Sequence, residues 1–138
     1  MTPQERSLVQ ESFAAVRPIS DQAAAMFYDR LFTIAPEVKP LFKGDMSEQG
    51  KKLMQMLAVA VNGLNNLEAI LPAVQELGRK HVDYGVTAAH YQPVGEALLW
   101  TLEQGLGDAF TTETKAAWEK TYALLAGAMI EAAEGAKA

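Results

Sequence analysis

Apolar residues recur at three- and four-residue steps through nearly all of this 138-residue chain, and no stretch of five or more residues keeps the strict alternation of a half-buried strand. That period commits the chain to helices packed on helices, an all-α fold. Thr2, Pro3 and Glu5 read as a capping box with proline at the first helical position, opening a helix that buries Leu8, Val9, Phe13 and Val16 and stops before Pro18. A second helix follows Ser20, with Phe27, Leu31 and Ile34 on one face and Tyr28 and Phe32 beside them. It ends before Pro36, which starts a short turn reaching Phe42. Asp45 or Ser47 caps a helix whose stripe is Gln49, Leu53, Leu57, Val61 and Leu64, and Asn62-Gly63 with Asn65-Asn66 is expected to break it. The segment from Leu67 to Tyr84 carries Pro72 and ends at Gly85. The next helix starts near Thr87, buries Tyr91, Val94, Leu98 and Leu102, and is closed by Gly105 and Gly107. Thr111 caps the last, with the stripe Trp118, Tyr122, Leu125 and Met129. Six long helices and a short one, in one domain over residues 1–138, are expected. An up-down bundle and a crossed packing both satisfy this pattern, and periodicity does not choose between them.

The charge balance, 12 Lys plus Arg against 17 Asp plus Glu, leaves −5 and no basic field for nucleic acid or an anionic membrane, so neither is expected as a partner. The absence of cysteine excludes disulfides, iron-sulfur clusters, thiolate haem ligation and zinc-cysteine sites. It also agrees with a reducing compartment. The N-terminus lacks a charged-then-apolar signal pattern, and no run approaches the roughly eighteen consecutive apolar residues of a membrane span, so a soluble cytoplasmic protein is expected. No phosphate loop, nucleophile-base pair or paired-carboxylate site is recognisable.

His81 stands out because it lies on an apolar helical stripe with Val74, Leu77 and Gly78 and has no acidic or cysteine neighbour. A histidine so placed is either a core residue satisfied by the backbone or a ligand for a metal or cofactor. Around it the order of motifs is informative: Phe27-Tyr28 before Leu31-Phe32, then Pro36, then Leu41-Phe42, then Leu77-Gly78-Arg79-Lys80-His81, Tyr84-Gly85-Val86 and His90-Tyr91-Gln92-Pro93-Val94-Gly95. In that combination, and over essentially its whole length, the chain resembles the bacterial single-domain globins. It is most similar to the haemoglobin domain of flavohaemoglobins and, in order and spacing, to the Hell's Gate globin type.

The resemblance implies a globin fold around one haem b, with His81 as the proximal iron ligand, Phe42 against the haem plane and Pro36 at the bend between helices. A ligating imidazole needs its second nitrogen bonded elsewhere, and the carbonyl of Leu77 is the natural acceptor. Tyr28, Gln49 and Leu53 fall where the family places its distal pocket, the first two able to donate hydrogen bonds to oxygen. Leu57, Val86 and Leu98 complete the implied haem contacts, and Lys43, Arg79 and Lys80 are candidates for its propionates. Tyr91 matches a proximal tyrosine that the family joins to a late-helix glutamate. The position expected for that glutamate falls at or beside Ala133, which leaves Glu134 as the candidate after a small shift. Gly50 is explained by close packing on Ala24, and His90 is expected at an exposed helix start, away from the iron.

Reversible binding of oxygen, nitric oxide or carbon monoxide at ferrous iron, for transport or storage, is the function this implies. The enzymatic alternative is nitric oxide dioxygenation, which needs an electron source. These 138 residues contain no segment like the reductase domain of flavohaemoglobins, so a separate reductase is the expected partner.

Overall fold

The computed structural model describes residues 2–42, 45–83 and 87–137. Among them there are six α-helices and no strand: α1 Pro3–Val16, α2 Ser20–Ile34, α3 Met46–Asn62, α4 Leu67–Asp83, α5 Tyr91–Leu106 and α6 Thr112–Lys137. The caps form as their side chains dictate. Thr2 accepts from the Glu5 amide while Glu5 accepts from the Thr2 amide, Asp45 accepts from the Ser47 amide, and Thr111 accepts from the Thr114 amide. Glu5 also pairs with Lys120 at 2.5 Å, tying α1 to α6, and this ammonium together with the capping bonds lowers the carboxyl to about 2.

The breaks at Pro18 and at Asn62-Gly63 fall where the sequence places them: α1 ends at Val16 and α3 at Asn62, and 3-10 turns at Arg17–Ile19 and Gly63–Asn66 carry the chain from one helix into the next. A proline at the start of such a turn loses no hydrogen bond, and tighter i→i+3 bonding absorbs the change of direction. Helix α5 starts at Tyr91, after a 3-10 turn at Ala88–His90 in which the His90 Nδ1 accepts from the Thr87 amide. Gly105 lies inside α5. Gly107 alone closes it, at φ +57°. The expected absence of a span-length apolar segment is also corrected: within the helical run Met46–His81 one window is long and apolar enough to cross a membrane by length and composition. Uninterrupted runs miss it because the uncharged polar residues Asn62, Asn65 and Asn66 divide it, and its Ala60, Val61 and Leu64 are core residues.

The pairing of helices decides the architecture. In an up-down bundle each helix packs mainly on its sequence neighbours, whereas here α4 packs on α6, α2 on α5, and α1 on α6. This crossed arrangement encloses a core of Val9, Phe13, Phe27, Leu31, Leu64 and Trp118. The Trp118 indole donates to the Ser12 hydroxyl at 2.8 Å, so the one polar atom of the largest core side chain is satisfied.

Candidate functional site

Helix α4 presents His81 half-buried near its C-terminal end. Its Nδ1 lies 2.7 Å from the Leu77 carbonyl oxygen, a group that can only accept, so Nδ1 carries the proton and the lone pair sits on Nε2. Burial lowers the pKa of the ring, against the smaller opposing effect of the Leu77 carbonyl, and so favours the neutral form. A neutral imidazole of fixed tautomer is the form that ligates a metal. Among the described residues no group of three His, Cys, Asp or Glu side chains converges that could hold a free cation. A porphyrin brings four nitrogens of its own, and the donor set fits haem better than a bare ion.

Beside His81 stands Tyr91, the first residue of α5, with ring centroids 6.4 Å apart and planes inclined by 30°. Burial raises the Tyr91 pKa. The sequence reading treated Tyr122 only as part of an apolar stripe, yet its hydroxyl donates to the Tyr91 carbonyl oxygen at 2.5 Å. Burial and the neighbouring Tyr91 push its pKa well above the usual phenol value. A tyrosine within a buried stripe is the signal available in sequence, since its hydroxyl must find a partner. Glu131 and Glu134, the carboxylates flanking the expected position, are exposed on α6. The helical period explains this, because Ala132 and Ala133 are the residues turned partly inward.

A second cluster is built by α2, α3 and the 3-10 turn Pro36–Leu41 that leads to Phe42. The Tyr28 ring packs edge-on to Phe27 and Phe42, at 5.1 and 5.3 Å, and stacks on Phe32 at 6.0 Å. Its hydroxyl donates to the main-chain oxygen of Gln49 at 3.2 Å, and burial pushes its pKa up to about 12. Tyr28 thus meets Gln49 through the Gln49 main chain. This approach depends on Gly50, where an added Cβ would stand 2.9 Å from the Ala24 Cβ. Leu53, Leu57 and Leu98 line a small apolar cavity of about 20 Å³ with Phe13, Phe27 and Leu102.

The basic candidates separate. Arg79 pairs with Glu76 at 3.2 Å on the exposed face of α4, and Lys80 is exposed beside it. Lys43 and Val86, with Tyr84 and Gly85, lie outside the described residues.

The globin family profile matches residues 25–129. The chain is 32% identical to a flavohemoprotein of Bacillus subtilis over 129 residues, covering 89% of this chain and 32% of that protein. It is 30% identical to a flavohemoprotein of Vibrio cholerae over 134 residues, covering 95% of this chain and 34% of that one. It thus spans about a third of the length of these curated relatives. Among solved structures, a bacterial globin from Campylobacter jejuni superposes with a TM-score of 0.86 at 27% identity, over 99% of both chains. An engineered carbene transferase made from a Rhodothermus marinus protein named as a nitric oxide dioxygenase superposes with a TM-score of 0.89 at 28% identity, over 99% of this chain and 96% of that one.

Proposed function

Because this chain belongs to the globin family, we propose that it holds haem b through Nε2 of His81 and binds oxygen reversibly, together with nitric oxide and carbon monoxide. The observation that carries this reading is the bond from Nδ1 of His81 to the Leu77 carbonyl, which fixes the ligating tautomer in a half-buried site. Haem, when bound, supplies an iron whose sixth position takes a diatomic gas. The chain's own residues do the rest. Phe42 and the apolar Leu53, Leu57 and Leu98 exclude water from the haem faces, and the exposed Lys80 and Arg79 are the cations that would meet the propionates at the rim. Tyr28 already donates over a long bond to Gln49, so its hydroxyl can turn to a ligand atom that acquires partial negative charge. Carbon monoxide, being less polar, gains less from that donor.

A second reading, nitric oxide dioxygenation, is favoured by the similarity to flavohemoproteins and to the Rhodothermus protein. In that reaction nitric oxide, dioxygen and an electron give nitrate, so each cycle needs a reductase to deliver the electron. The two readings separate in one experiment. The reduced, haem-loaded protein is titrated with oxygen and then mixed with nitric oxide, with and without a flavin reductase and its nicotinamide donor. Reversible oxygen spectra alone support the binding role, and nitrate formed in many-fold excess over protein supports the enzyme. Failure to bind oxygen reversibly overturns the first.

A further inference from the structure

Helix α6 fits into two glycine notches, one on the helix that carries His81 and one on the helix that carries Tyr91. At Gly78 of α4 an added Cβ would stand 2.6 Å from the Met129 Cα and 2.8 Å from its carbonyl carbon, backbone atoms that cannot rotate away. At Gly95 of α5 an added Cβ would stand 2.7 Å from the Tyr122 ring. Tyr122 and Met129 lie two turns apart on α6 and so face the same way. Tyr122 spans one turn of α5, its ring over Gly95 and its hydroxyl on the Tyr91 carbonyl. Gly78 stands one turn from His81, whose ring is bonded to the carbonyl of Leu77 in that same turn. The depth at which α6 sits in each notch therefore sets where the imidazole and the Tyr91 ring stand, now 6.4 Å apart.

We propose that Gly78 and Gly95 are positioning residues for the iron ligand: through Met129 and Tyr122 they set the height and tilt of His81, and with them the strength of the bond it makes. This inference rests on the haem reading above. Helix propensity predicts the opposite sign, since alanine is the better helix former at both positions.

The test compares three full-length variants, Gly78→Ala, Gly95→Ala and Gly127→Ala, loaded with haem. Gly127 is the control, a glycine of α6 with open space where its Cβ would be. Two properties are read: the iron-histidine stretching frequency of the ferrous, ligand-free form by resonance Raman, and the rate of haem transfer to a competing acceptor. Gly78→Ala and Gly95→Ala are expected to shift the frequency and to release haem faster on the order of tenfold, the ratio a modest overpacking penalty produces when it falls on one bond. Gly127→Ala leaves both unchanged. Should Gly78→Ala fail to fold by circular dichroism, Gly95→Ala decides, because the ring it meets can turn. Unchanged frequency in a folded, haem-loaded Gly95→Ala overturns the proposal. A parent protein that takes up haem without any iron-histidine band overturns instead the haem ligation on which it rests.

Discussion

Tyr28 of α2 donates its phenolic hydrogen to the main-chain oxygen of Gln49 on α3 across 3.2 Å, and Gly50, the next residue, lets the two helices come close enough for this to happen. The hydroxyl is thus held by a bond long enough to exchange for a better acceptor. Tyr28→Phe is expected to speed oxygen release by about tenfold or more, the effect of removing one hydrogen bond to a charged or strongly polar acceptor. Carbon monoxide release should change much less. Stopped-flow displacement of each gas measures both rates, and equal, small changes would rule out the donor role.

The Gly50 contact has its own consequence for stability. Alanine at position 50 would place a methyl group 2.9 Å from the Ala24 Cβ, so Gly50→Ala is expected to cost about 1–3 kcal/mol although alanine favours helix. Ala24→Gly in the same chain removes the obstruction, and the pair should be more stable than the sum of the single changes predicts. Urea unfolding of the four proteins gives the coupling directly. Simple additivity would show that the helices do not meet at this point.

The buried phenols make the fold sensitive to alkali. Tyr28 ionises at about 12 in the folded chain and near 10 when unfolded, so its contribution to stability is present below pH 10 and is lost as pH rises through 12. Tyr122 is shifted in the same direction by its own burial. After allowance for the part of Tyr28 that solvent reaches, the loss is about 1–2 kcal/mol. Unfolding measured at pH 9 and pH 11 should show a drop that Tyr28→Phe reduces. An identical drop in that variant would assign the sensitivity to other groups.

The legible parts of this fold are those fixed by neighbours in sequence. Thr2, Asp45 and Thr111 cap helices because their side chains reach amides two or three residues on, and the bond from His81 to Leu77 follows from the same i to i−4 geometry. The Gly50 to Ala24 contact was anticipated because a glycine in the first turns of a helix asks for a close neighbour. The connections were harder, since Pro18 and the Asn62 to Asn66 region favour a change of direction equally well as a loop or as the 3-10 turns that form. The proximal side was only half legible. Tyr91 is marked by its position in the sequence, but Tyr122, Gly78 and Gly95 acquire their contacts from helices far away in sequence, and on α6 Ala132 and Ala133 turn partly inward while Glu131 and Glu134 face outward.

The most direct test of ligation by His81 is the visible absorption spectrum of haem-loaded His81→Gly, recorded before and after addition of free imidazole. The glycine variant should lose the ferrous spectrum of the parent and regain it when imidazole enters the space left by the side chain. A His81→Gly protein whose ferric and ferrous spectra match the parent, with no response to imidazole, would contradict the assignment of His81 as the residue that holds the iron.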